Sequence, residues 1–352
     1  VDLEKASIVE VQPGAELSTI DVILPPFQGH WLRGRAVDAA TGRPPKWPEI
    51  RLSGKSVGRF ADYEYGIAEY NPQHGTFEIP NVLPGSYRLT AIVQSSGTEK
   101  LSPEELANMR TRDDFFNASF QAVAAGAEVA IDMPLSDLNN VVLTLRPGIS
   151  IPVRVGVEGV DLSSIQGVEE LRVSLSSPTN GRLGPRINAD GSATINNVVP
   201  GEYTASMDFA RAKDLYVKEI RYGRADILDT PVMIAAPPET VTVVLSNRGG
   251  QIEGTLTDAA SHPVRLAEVI LIPERRDQKR LFKSTQSDLN GHFVFRALPP
   301  GSYKLFSWEA LERRAYFDPN VLALFESQGR AVRVEESSKN TADIRMIPAP
   351  KQ

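Results

Sequence analysis

The chain has 352 residues, 41% of them hydrophobic and 23% charged, a globular composition whose length predicts two to three domains rather than one core. A net charge of −6 without any basic stretch argues against nucleic acid as a partner. The absence of cysteine excludes thiol catalysis, disulfide scaffolding and cysteine-based zinc sites, and no apolar run is long enough to predict a transmembrane helix.

The chain opens on VDLEKASIVEV, with neither an initiating Met nor a signal-peptide pattern, so it reads as a chain that has lost a leader or as a piece of something longer. Residues 11–26, VQPGAELSTIDVILPP, resemble residues 123–137, VAAGAEVAIDMPLSD. Residues 1–26 are therefore expected to be the terminal strands of a preceding repeat. A strand pair with no core of its own is marginal in water. Its apolar residues, Ile8, Val9, Val11, Ile20, Val22, Ile23 and Leu24, are candidates for a strand donor. They would dock on the first domain, on an upstream domain or on a sheet of another molecule.

Residues 27–137 predict a first β-sandwich. LRGRAVDAATGRPP (32–45) reads as strand, Asp, small residues and turn, and EIRLSG from Glu49 as a second strand. RFADYEYGIAEY (59–70) sets Phe60, Tyr63, Tyr65 and Tyr70 near Trp47, five aromatics that are candidates for contact with a sugar ring or a partner. The alternation of Tyr63 and Tyr65 equally fits a strand burying one face. GTFEIPNVLPGSYRLTA (75–91) alternates apolar residues on both sides of Pro84 and Gly85, a pair suited to a turn. Tyr87 falls where a sandwich buries a ring and lets its hydroxyl reach nearby backbone. SPEELANMRTRDDFF (102–116) predicts a short helix from its Ser cap with Glu three residues on, and GAEVAIDMPL (126–135) a closing strand.

Residues 138–248 repeat the plan in degenerate form: ISIPVRVGVEGVD (149–161), ELRVSLSS from Glu170, GSATINNVVPGEYTASM (191–207) and PETVTVVL (238–245). Residues 249–352 repeat it closely: IEGTLTDAASHPV (252–264), AEVILIP from Ala267, GHFVFRALPPGSYKLFS (291–307) and NTADIRMIP (340–348). Residues 308–329 predict one or two helices, with Asp318 and Pro319 marking a start and Gly329 a stop. Gly75, Gly191 and Gly291 open the three copies about 100 residues apart, the size of a domain and not of a solenoid repeat. The fold class is all-β: three tandem antiparallel β-sandwich domains, transthyretin-like or Ig-like, with short helical insertions.

The residues predict no enzyme, cofactor or metal. His30, His74, His262 and His292 lack the spacing of a ligand pair and fall in turns. DLNG (288–291) and NADG (188–191) start like calcium loops but lack the remaining oxygen ligands and closing Glu, so they read as hairpin turns. Glu309, Glu312 and Asp318 stand beside Arg313 and Arg314, and together with Glu335 and Glu336 read as ion pairs on a solvated face. No Gly-x-Ser-x-Gly, phosphate loop or supported triad is present.

The glycine, Asp and Pro spacing of the opening stretch, followed by the LPPG-x-Y-x-L stretch, resembles the carboxypeptidase regulatory-like (transthyretin- or prealbumin-like) domains. The match is closest over residues 250–307, good over 34–91 and loose over 149–207. The resemblance implies a seven-stranded sandwich, and the layout is similar to large secreted or envelope proteins of bacteria built from such modules. It implies an extracytoplasmic, secreted or cell-surface protein that associates with itself or with other envelope proteins. The related collagen-adhesin B-type repeats can carry a Lys–Asn crosslink. The positions of that lysine hold Ala36 and Val37 in the first domain and Leu256 and Thr257 in the third, so no crosslink is expected. The leading functional expectation is a non-enzymatic structural rod that assembles into a filament through residues 1–26. The alternative is a polysaccharide-binding accessory module of a secreted enzyme, and an accessory role beside a carboxypeptidase ranks last.

Overall fold

The computed structural model describes Val9 and residues 29–54, 63–94, 123–177, 181–209 and 214–349. The rest of the proposed strand donor, Phe60 and the helix predicted over 102–116 lie outside the described residues.

The fold is all-β and tandem: three sandwiches follow one another, each with its own core. In the first, one face orders Tyr63–Ile67, Glu49–Gly54, Gly85–Gln94 and Val123–Met133. The other orders Leu138–Pro147, His30–Asp38, Thr76–Val82 and Glu69–Asn71. The faces join at one corner, where Ala125 and Gly126 pair with Pro147 and Arg146. The second sandwich sets Arg172–Ser177, Gly201–Asp208 and Val232–Ile234 against Ser192–Val198, Ile149–Val157, Val241–Ser246 and Tyr216–Tyr222. In the third, Lys283–Gln286, Glu268–Pro273, Gly301–Phe306 and Arg330–Val334 face His292–Leu298, Gly250–Thr257 and the short strands Lys339–Thr341 and Ile344–Arg345.

The repeated Pro-Gly stretch is not a hairpin. Thr76–Val82 pairs with His30–Asp38, whereas Gly85–Gln94 pairs with Glu49–Gly54, so the chain crosses from one sheet to the other. Alternation survives the crossing because both strands feed one core: Phe77, Ile79 and Val82 from one side, Tyr87, Leu89 and Ala91 from the other. A residue with left-handed backbone stands next to last in the first strand each time, Asn81, Asn197 and Ala297, at φ 59°, 58° and 52°. The tyrosine after the turn is buried, and its hydroxyl donates back four residues: Tyr203 to the Val199 carbonyl and Tyr303 to that of Pro299, both at 2.8 Å.

In all three sandwiches the first and last strands are neighbours and run parallel. Leu32–Leu138 through Asp38–Leu145 pair this way in the first, Val153–Val241 through Val157–Leu245 in the second, and Gln251–Lys339 and Leu256–Ile344 in the third. A chain whose first and last strands point the same way enters at one pole and leaves at the other. The next sandwich begins almost at once, since Gly148 alone separates Pro147 from Ile149. That glycine has no room for a side chain: a Cβ would stand 2.6 Å from the Asn197 Cα. Gly29 and Gly249 meet Asn81 and Ala297 in the same way.

The closing strand of the first sandwich differs from the one expected, whereas the helix start expected at Asp318 and Pro319 is present. Leu138–Pro147 buries Leu143 and Leu145 in the first core, so that sandwich runs past residue 137, and its closing strand is this one, not 126–135. The segment 308–329 holds one short helix, Pro319–Ala323, capped by Asp318 and flanked by the single turns Ala315–Phe317 and Glu326–Gln328. The Asp318 carboxylate accepts from the Asn320 amide and that of Glu309 from the Ala349 amide, so these acids hold local backbone. The segment covers the outer face of its sheet with a second small core of Ile270, Ile272, Phe306, Leu322 and Ile347.

Candidate interaction surface

The turn residues behave as structure. The Asp288 carboxylate accepts from the amides of Asn290 and His292, and that of Asp190 from the amide and hydroxyl of Ser192. Those hydrogen bonds hold both carboxyls below their usual range. Gly75, Gly191 and Gly291 take φ of 72°, 80° and 77°, the backbone such turns demand. Among the described residues no group of three or more His, Asp or Glu is placed to hold a metal ion.

Of the five predicted aromatics, side-chain placement is described for Trp47 and Tyr70. Tyr63 and Tyr65 lie in an edge strand, Tyr63–Ile67, paired with Glu49–Gly54. Tyr70 is half-buried, and its hydroxyl donates to the Pro45 carbonyl at 2.8 Å; burial raises its pKa. It therefore props the loop that carries Trp47. Trp47 is 77% exposed on left-handed backbone, φ 49°. A bulky residue pays for that backbone with about 1–2 kcal/mol, and exposure of the ring returns nothing to the fold.

Sequence reasoning missed the counterpart in the third sandwich. Leu266, at φ 54° and 63% exposed, stands three residues after Pro263 and two before Glu268, as Trp47 does relative to Pro44 and Glu49. The shared Pro-x-x-(large apolar)-x-Glu spacing was the available signal. Both residues lie at the pole from which the chain leaves its sandwich, and exposed Leu289 lies in the turn at the same pole as Leu266. At the opposite pole of the first sandwich Asp137 gathers a second missed group. It accepts from the Trp31 amide at 2.9 Å and from Arg33 at 3.1 Å, and the Arg33 guanidinium lies 4.5 Å from the centre of the Trp31 ring. The amide bond foremost, then Arg33, holds the Asp137 carboxyl below its usual range.

No known family profile matches this sequence, and no curated protein matches it. Solved structures do match by shape. The TIE protein of Bacillus anthracis aligns over 91% of this chain at 12% identity and a TM-score of 0.20, and the chain spans half of that protein's length. A streptococcal ancillary pilin aligns over 90% of this chain and 99% of its own at 12% identity and a TM-score of 0.25. Two B repeat units of the collagen-binding protein of Staphylococcus aureus align over 80% and 69%, at 12% identity and a TM-score of 0.20. Scores of this size fix no common arrangement of the units.

Proposed function

We propose that the chain is a non-enzymatic structural and interaction protein: a string of carboxypeptidase regulatory-like sandwiches, divided near Gly148 and Arg248, that spaces or joins other molecules outside the cytoplasm. The observation that carries this reading is the parallel pairing of first and last strands in all three units. Each unit then lengthens the molecule instead of folding it back, and a one-residue link leaves little freedom at the first joint.

In the sharper form of this reading, residues 1–26 add a strand to a sheet of a neighbouring copy. Strand addition satisfies backbone groups on both partners, and a head-to-tail contact that does not close into a ring propagates as a filament. The full chain is expected to form higher-order species in light scattering and electron microscopy at concentrations where a chain lacking residues 1–26 stays monomeric. Identical behaviour of the two would remove the assembly.

Trp47 supports a second reading, contact with polysaccharide. A polysaccharide pull-down that retains the chain and loses Trp47→Ala would support it; equal retention of both, or of neither, would dismiss it.

A further inference from the structure

A cleft of about 450 Å³ lies between the second and third sandwiches, within the span of roughly 300–1,000 Å³ typical of small-molecule sites. Its walls are mostly apolar: Met207, Phe209, Leu215 and Leu228 from the second sandwich, Leu281 and Pro299 from the third. Two cations line it, and they differ in what holds them. Arg280 crosses the joint to both carboxylate oxygens of Asp229, at 2.8 and 3.1 Å, so its charge is met. Lys283 has only the Ala297 carbonyl, at 3.4 Å, and forms no ion pair among the described residues. Burial lowers its pKa, with no carboxylate opposing that effect. A half-buried ammonium with one long contact leaves its charge incompletely met beside an apolar wall.

The geometry points to a binding site, spanning the joint, for a small amphiphilic anion: one carboxylate on an aliphatic body. The carboxylate meets the Lys283 Nζ, and the body lies along Phe209, Leu215, Leu228 and Leu281. Among the described residues one cation is left unmatched, which suits a single negative charge, and the apolar walls suit a saturated chain better than a sugar. Occupancy touches both sandwiches at once and stiffens their joint. This inference stands apart from the filament and polysaccharide readings, since neither uses the cleft.

Decanoate, decanol and decyltrimethylammonium, each below its micellar concentration, separate the terms when titrated calorimetrically into the full chain. Decanoate is expected to bind and to raise the melting temperature, decanol to bind more weakly and the cation least. Lys283→Met keeps the packing and removes the charge, and should weaken decanoate about ten- to hundredfold while leaving decanol unchanged. Ala205→Trp fills the cleft while keeping Lys283 in the sequence and should abolish decanoate binding. Circular dichroism melts establish that both variants fold. Failure of decanoate to bind, equal affinity for all three probes, or decanoate binding unchanged in folded Lys283→Met would each overturn the proposal.

Discussion

Leu266 keeps a large, exposed side chain on backbone that a side chain of its size avoids. Asn tolerates the left-handed region far better and carries none of glycine's extra unfolded-state entropy. Leu266→Asn is therefore expected to stabilise the chain by about 0.5–1 kcal/mol, read as a higher denaturant midpoint at unchanged slope. A midpoint that falls would mean the leucine packs in a way its exposure denies. Tyr303 sets a second expectation. Burial pushes its pKa up to about 12 from an ordinary value near 10, and its hydroxyl is the donor to the Pro299 carbonyl. Between those pH values the unfolded chain gives up the phenol proton and the folded chain keeps it, so stability falls as pH rises from 10 towards 12. The loss is on the order of 2 kcal/mol, and Tyr303→Phe should flatten that part of the profile. The tyrosine's role was legible from its place after Pro-Gly in each copy. The left-handed residues were only half legible: Asn81 and Asn197 are of a type that favours such backbone, whereas Ala297, Trp47 and Leu266 are held there by the path of the surrounding chain.

Among the elements, Glu268–Pro273 is the instructive case. Its counterpart Glu49–Gly54 alternates buried and exposed residues, but here Val269, Ile270, Leu271 and Ile272 are all buried. The run is continuous because Val269 and Leu271 face the main core while Ile270 and Ile272 face the small core under the 308–329 segment. Leu322 closes that second core and is 4% exposed, so Leu322→Ala should cost about 2–4 kcal/mol in chemical denaturation. A cost below about 1 kcal/mol would show that the segment rests on the sheet without packing into it. The apolar run VILI in the sequence already implied cover on two sides, yet its pattern alone does not say what supplies that cover. The mistaken closing strand has a similar cause. Val123–Met133 and Leu138–Pro147 are both long and apolar at alternating positions, and only the parallel pairing with His30–Asp38 distinguishes the second. Parallel pairing joins residues about 100 apart and leaves no local mark.

At the scale of the whole molecule, three copies of one motif at domain spacing were enough to predict the tandem sandwiches. The candidate surface was less legible, because Leu266 shares with Trp47 only a spacing of Pro and Glu, and the joint cleft is built by two units that the sequence treats separately. Each sandwich begins alike: a glycine ahead of its opening strand lies against the left-handed residue before its own Pro-Gly turn. At the second joint Arg280 pairs with Asp229, and Arg248 links Glu158 of one sandwich to Glu336 of the next. Such a chain should hold its units in line even when its partners are absent. Small-angle X-ray scattering of the monomer tests this most directly. One merged globule of this length would have a radius of gyration of about 20 Å. Three sandwiches joined pole to pole should instead give about 30 Å or more, with a pair-distance distribution tailing to long distances; a radius near that of the globule would contradict the account.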